Sequence, residues 1–289
     1  MSKSEEMKRY DSELLRKVQM VDLRMAKFFV EYCKQNNLLC YFCGGGCIGT
    51  VRHKGFIPWD DDLDFFMPRD DYERLKQLWK DTDQYVIRYP SETYNDHNMF
   101  MTLRDKNSTM IKPYQQDLDI VHGVTIDIFP IDGYPDSSFQ RKKQVFWGLV
   151  YQIYCAQLIP ENHGKMTRFV GKMALGLVRS PKRRYKVWHK AEKKMSKYPI
   201  SSCQNITEIC AGPGYMKNKY PKRIFERAVY LPFEDTEMPV PAGYDQYLRI
   251  VFGDYMQMPP VEKRIPQHDA VILDPDKSYV EYNRPYTGV

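Results

Sequence analysis

The residues with the most chemistry to offer stand close together. From Asp60 the chain reads Asp60-Asp61-Asp62-Leu63-Asp64, and shortly before it Arg52, His53 and Lys54 follow three glycines, Gly44, Gly45 and Gly46. In an extended strand, residues two apart share a face, so Asp60, Asp62 and Asp64 line up while Leu63 and Phe65 turn to the core. Carboxylates stacked along one edge repel one another unless a cation holds them. Mg²⁺ is the expected ion, being hard and oxygen-seeking, with Mn²⁺ as a substitute. A solvated acidic turn accounts neither for the alternation nor for the apolar flanks. A third carboxylate is expected from HGVTIDIFPIDGYP, where Asp127 lies between Ile126 and Ile128 in an apolar, strand-like run. A lone Asp inside a buried strand is expensive without a partner. If that strand lies beside 63–67, Asp127 joins Asp62 and Asp64. Asp132, beyond Pro130, reads as a turn residue.

The glycines raise the possibility of an anion site. A strand, a Gly-rich turn and a helix start present a concave array of backbone N–H groups. Glycine lets the backbone approach a phosphate with no Cβ in the way. The same stretch contains Cys40, Cys43 and Cys47, which could suggest zinc or a redox pair. A structural zinc site needs two closely spaced ligand pairs. Cys40 and Cys43 make one, and Cys203 and Cys210 are too far apart to make the other. In a strand, an i, i+3 spacing also points the two thiols to opposite faces. The cysteines read as small core hydrophobes.

The surrounding pattern supplies elements to position these groups. An amphipathic helix is expected over 10–35, with Leu14, Leu15, Val18, Val21, Leu23, Ala26, Phe29 and Val30 on one side and Asn36-Asn37 at its end. Strands are expected at 38–43, 63–67, 100–103 and 124–129, a short helix at 47–53 and another helix at 72–80. From Phe139 to Tyr198 the pattern turns to long helices, and after Cys203 to short elements rich in Pro and Tyr.

With 289 residues, 43% hydrophobic and 28% charged, the chain can bury a sizeable core. No apolar run is long enough for a membrane span and the first residues lack a signal peptide's apolar region, so a cytoplasmic location is expected. Seven cysteines, an odd number, fit a reducing compartment. The net charge of +6 is unevenly spread: Gln140–Lys197 holds fifteen Lys and Arg against Glu161 and Glu192, about +13, leaving about −7 for the rest. Combined with Trp147, Tyr151, Tyr154, Phe169, Met173, Leu175 and Leu177, that segment reads in two ways. It is either an anionic membrane surface's partner or a helical subdomain with a solvated basic face. No nucleic-acid-binding module accompanies the charge, and no nucleic acid is expected as a partner.

The order of a glycine turn followed by Asp-x-Asp resembles the nucleotidyltransferase fold. More closely, GTVRHKGFIPWDDDLDFFMPRDDYERL, HGVTIDIFPIDGYP and FEDTEMPVPAGYDQYLRIVFGDYMQMPPVEKR resemble the LicD family of phosphocholine transferases, related to fukutin and fukutin-related protein. The resemblance implies an α+β fold, a nucleotidyltransferase-like mixed sheet flanked by helices with an inserted basic helical segment. It suggests a core over 1–138, the insertion over 139–198 and a completing part over 199–289. It further implies CDP-choline or another CDP-alcohol as donor, a lipid-linked glycan hydroxyl as acceptor and CMP as product. Asp62 and Asp64 would hold Mg²⁺ against the diphosphate, with Asp127 completing the metal site or accepting the acceptor's proton. Gly45, Gly46, Arg52 and His53 would meet phosphate, with Arg104 as a second clamp and His268 near the site. Two departures stand out: Gly46 where the family carries Ser or Thr, and Gln267-His268 where it carries two histidines. The rival readings are a metal-dependent glycosyltransferase using a sugar nucleotide and a non-catalytic membrane-associated scaffold.

Overall fold

The computed structural model describes residues 11–158, 165–284 and 287. The first ten residues, on which the expectation about a signal peptide falls, and Glu161 of the charge count lie outside the described residues. The fold is α+β. Its helices are α1 (Ser12–Gln35), α2 (Gly44–Ile48), α3 (Arg69–Leu78), α4 (Ser138–Ala156), α5 (Lys165–Leu177), α6 (Pro181–Met195) and α7 (Tyr244–Phe252). Its strands are β1 (Tyr41–Phe42), β2 (Asp64–Pro68), β3 (Tyr85–Arg88), β4 (Met101–Asp105), β5 (Thr109–Ile111) and β6 (Thr125–Tyr134). They continue with β7 (Asn205–Thr207), β8 (Tyr220–Pro221), β9 (Ala228–Phe233), β10 (Thr236–Pro241) and β11 (Ile272–Asp274).

The chain divides into two compact units. One comprises Met1–Ile87, Thr102–Ile128 and Arg223–Val289, the other Arg88–Met101 and Phe129–Lys222. In the first, the strand order is β1-β2-β6-β4-β3. Helix α1 starts where the Asp11 carboxylate accepts from the Leu14 N–H at 2.7 Å, and it buries Val18, Met25, Ala26 and Phe29. Phe29 meets Phe65 of β2 with ring centroids 4.9 Å apart. Phe65, Phe66 and Met67 are all buried, as expected of a strand covered on both faces.

Two pairings bring distant sequence to β2. The β9–β10 hairpin turns at Glu234, whose carboxylate accepts from the Phe56 N–H at 3.1 Å and from Arg16 at 2.7 Å. Strand β11 pairs antiparallel with β5, Ile272 opposite Ile111. That pairing draws the stretch just before β11 alongside Lys112.

The second unit is built on α4 and α6. Tyr151 and Cys155 of α4 bury against Trp188, Ala191 and Met195 of α6, together with Ile209, Cys210 and Met216. Arg141 is buried beneath this layer, its guanidinium 4.1 Å over the Tyr134 ring and donating to Gln144 and Thr207. The aromatic and apolar residues of the basic segment are therefore split. Tyr151 and Leu175 are buried, Trp147 and Tyr154 are partly covered, and Phe169, Met173 and Leu177 are exposed. No helix among the described residues is long and apolar enough to cross a membrane.

Two expectations need correcting. Asp132 is not in a turn: it is buried in β6, opposite Thr207 of β7. Pro130 does not stop the strand because β6 changes partner around it, with β7 taking up the residues beyond. Asp60 and Asp62 precede β2, which begins at Asp64. Their two-residue alternation nonetheless survives in extended backbone, Asp60, Asp62 and Asp64 half-buried and Asp61, Leu63 and Phe65 buried. All seven cysteines are buried.

Candidate active site

All the groups described below belong to the first unit. The acid row enters β2 from the loop after Gly55, and β6 neighbours β2 in the sheet. Asp127 of β6 consequently acts on both Asp62 and Asp64, raising the pKa of each. Burial is the largest influence on every acid of the row that moves. It pushes Asp60 up to about 8, helped by Asp62 and Asp61. It raises Asp62, against the opposing pull of His268, and it raises Asp64 well above the ordinary carboxylate range, with Asp62 and Asp127 adding to it. Such a group resists carrying its full negative charge until a cation joins it.

His268 is the protein's own counter-charge. Its Nδ1 lies 3.0 Å from Asp61 Oδ1 and its Nε2 3.6 Å from Asp62 Oδ2. The backbone N–H groups of Gln267 and His268 both donate to the Asp61 carboxylate, at 3.2 and 3.1 Å. Burial alone would lower this imidazole, but Asp61 and Asp62 outweigh it and hold it up at about 9. Lys112 is buried on the same side. Burial works against its charge, and Asp127 and Asp62 overcome that and raise it.

The glycine turn is α2 itself, continued by a π-helical turn over Gly49–His53. Gly44 has φ +52°, a left-handed conformation that glycine adopts freely, and its N–H donates to the Tyr247 hydroxyl at 3.1 Å. Gly45 is required by the acids: a Cβ there would lie 2.1 Å from Asp60 Oδ2. Gly46 is buried against Phe42 and Leu63 and so serves packing.

Arg52 leaves the end of the π-turn and donates to the carbonyls of Tyr255, at 2.5 Å, and Gln257, at 3.4 Å. Burial lowers its pKa, as does the neighbouring charge of Arg264, while Asp60 opposes both. Arg264 sits 5.4 Å over the Trp59 ring, and His53 meets the same ring edge-on at 6.5 Å. Burial and Arg52 lower His53. Arg104 is fully buried in β4, donating to Thr102 Oγ1 and the Val121 carbonyl, and its charge acts on Lys112.

Thus Asp62, Asp64, Asp127 and His268 converge, with Gly45 against Asp60 and Arg52 beside it, while Arg104 and Gly46 lie in the core. The sequence reading missed Asp61, Lys112, Arg264 and Tyr247 as members. Lys112 carries a signal, a lysine closing the apolar run of β5. Asp61 carries none, because its partner is more than two hundred residues away.

The donor set fits a hard divalent cation. Asp62 and Asp64 stand close enough to Asp127 for it to raise both, and burial pushes the pair toward the neutral form, the state of an oxygen-rich cluster that lacks its cation. Residues 37–149 match the family described as LicD/FKTN/FKRP, nucleotidyltransferase domain. Over 273 residues, 90% of this chain and 98% of the relative, the chain is 29% identical to the lipopolysaccharide cholinephosphotransferase LicD of Haemophilus influenzae. A shorter match, 36% identical over 22% of this chain and 25% of the relative, is to an uncharacterized protein of Rickettsia prowazekii. The acid row, its partner strand and the glycine turn all lie inside residues 37–149, the part of this chain that matches the LicD/FKTN/FKRP nucleotidyltransferase domain.

Proposed function

We propose that the enzyme transfers phosphocholine, or a related phospho-alcohol, from a CDP-alcohol such as CDP-choline to a hydroxyl of a cell-surface glycan. Lipopolysaccharide and teichoic acid are the acceptor classes. The observation that carries this reading is the meeting of the acid row and Asp127 with Arg52, Arg264, Lys112 and His268 in one place. Phosphoryl transfer asks chiefly for positioning and for neutralised charge, and this set offers both. The lipopolysaccharide cholinephosphotransferase activity in the name of the Haemophilus relative supports the same class.

Asp62, Asp64 and Asp127 would hold Mg²⁺, or Mn²⁺ in its place. Bound there, the ion would neutralise the diphosphate and stabilise the charge of the leaving group. Arg52, whose guanidinium is fixed by two backbone carbonyls, and Arg264, held over Trp59, bind phosphate oxygens without having to be ordered first. His268 keeps Asp61 and Asp62 oriented. An acceptor oxygen forms a bond to the phosphorus that carries the alcohol. The bond from that phosphorus to the CMP phosphate oxygen breaks, and CMP leaves with the electron pair. The acceptor's proton passes to a carboxylate, for which Asp127 is the candidate.

The test is thermal unfolding with CDP-choline, CDP-ribitol, CDP-glycerol, UDP-glucose and CMP, each with and without Mg²⁺. A ligand at ~100 times its Kd adds ~2.7 kcal/mol to stability. A Mg²⁺-dependent shift with a CDP-alcohol, lost in Asp62→Asn and Asp64→Asn, is expected. A shift with UDP-glucose alone replaces this reading with a glycosyltransferase.

A second reading concerns the second unit. Phe139, Phe146 and Leu149 leave one stripe of α4 exposed, and Phe169, Met173 and Leu177 do the same on α5. In the same unit, Lys186, Lys190, Lys193, Lys194 and Lys197 line an open basic depression of about 470 Å³ on α6. Exposed apolar stripes and a lysine-lined face in one unit suit an anionic lipid surface. We infer that the enzyme works on the cytoplasmic face of a membrane, where a lipid-linked acceptor would be met.

A further inference from the structure

Helix α1 contributes an acid that the family match, which begins at residue 37, leaves out. Gln19 and Asp22 are three residues apart on α1 and so share a face. Gln19 is buried, and its amide donates to the carbonyls of Asp60 at 2.9 Å and Ile57 at 3.4 Å, docking the helix on the loop that carries the acid row. Asp22, on the next turn, is completely sealed from solvent. Neither of its carboxylate oxygens has a hydrogen-bond partner. Its neighbours along the helix are Val18, Val21, Leu23, Met25 and Ala26, all buried and apolar.

An acid in that setting is costly, and natural interiors seldom tolerate one without a compensating group. The direction in which compensation is to be sought is set by the charges that act on it. Apart from burial, these are Asp62, Asp61 and Asp60, opposed by Lys112. With Gln19, one turn earlier, bonded to the Asp60 carbonyl, the Asp22 carboxylate lies near enough to the acid row to add negative charge to it. A residue kept only for packing would be better served by Leu or Ala at this position.

We propose that Asp22 is a further member of the cation centre, supplying a carboxylate from helix α1 to the divalent ion held by the acid row, directly or through an ion-bound water. The inference rests on the reading that the row binds such an ion. It makes the helix ahead of the matched domain part of the site, with Gln19 as the clamp that sets its height.

The experiment is a titration of the full chain with Mn²⁺, followed by electron paramagnetic resonance of the free ion, for wild type, Asp22→Asn and Asp62→Asn. Thermal unfolding without metal is measured in parallel. Removing a supporting carboxylate of this kind weakens metal affinity by ~10–100-fold. The expected result is that loss in Asp22→Asn, with metal-free unfolding at the wild-type temperature or above, since a partnerless buried acid has gone. Should the Asn variant not fold, Asp22→Ser, smaller and neutral, takes its place. Wild-type affinity in the neutral variant, with binding lost in Asp62→Asn, overturns the role of Asp22 and leaves the metal site standing. Absence of Mn²⁺ binding in the wild type overturns both.

Discussion

Two carboxyl groups, one half-buried and one buried, illustrate opposite uses of the same chemistry. Asp127 lies on β6 facing Asp62 and Asp64. Asp127→Asn is expected to retain the fold and to slow transfer by ~10²–10⁴-fold, the usual contribution of a positioned base. CMP release measured beside circular dichroism checks both halves. Glu208 sits in the second unit and accepts hydrogen bonds from Asn218 at 2.8 Å and from the Tyr220 hydroxyl. Burial nevertheless dominates those two donors and lifts its pKa from 4.5 to about 7. A carboxyl raised in the folded state holds its proton there more tightly than in the unfolded chain. Its contribution is therefore most favourable below pH 4.5, declines as pH rises to about 7, and is flat above that. The full span is about 3 kcal/mol. Glu208→Gln removes this dependence, so it should gain up to about 3 kcal/mol on wild type at pH 8 and little at pH 4.5. Urea unfolding at the two values measures it. A gain equal at both would show that Glu208 does not titrate in this range.

At the scale of elements, the site depends on pieces that fasten the acid-row loop. Glu234, at the tip of the β9–β10 hairpin, accepts from the Phe56 N–H and from Arg16. Glu234→Ala leaves that N–H without its acceptor and should cost about 1–3 kcal/mol, seen as a lowered urea midpoint. A change under 0.3 kcal/mol would mean that the loop is held by other contacts. Such fastenings divide what was legible in the sequence from what was not. The acid row was legible because its period of two is local, and α1 because its apolar period runs for 24 residues. The LicD motifs spoke for β2 and β6. The role of Asp61 was hidden, since it is defined by His268, which the β5–β11 pairing draws to it. The burial of Arg104 was not legible either, because a strand covered on both faces carries no alternation to announce it. Pro130 looked like the end of a strand because a missing N–H ends most ladders, whereas here the strand changes partners. Asp22 carried a faint signal, an acid in the apolar row Val18, Met25, Phe29.

At the scale of the molecule, charge and apolar surface are divided between the units. The acid row belongs to one, and the exposed Phe139, Phe146, Phe169 and Leu177 with the α6 lysines to the other. Sedimentation with vesicles of phosphatidylglycerol is expected to carry the protein down, and vesicles of phosphatidylcholine alone to leave it in solution. Added salt should weaken the binding, as it does for charges near an anionic surface. Lys190→Glu with Lys194→Glu should reduce it, and equal binding to both lipids would remove the electrostatic account. The cysteines follow the same division. Cys33, Cys40, Cys43 and Cys47 are buried in the first unit, and Cys155, Cys203 and Cys210 in the second. A buried thiol reacts with an alkylating reagent only when its surroundings open. The native chain thus carries two sets of chemical clocks, one in each unit, with no label to be engineered. Timed alkylation followed by peptide mass would read the opening of each unit separately. With CDP-choline and Mg²⁺ present, the first set should slow while the second keeps its pace.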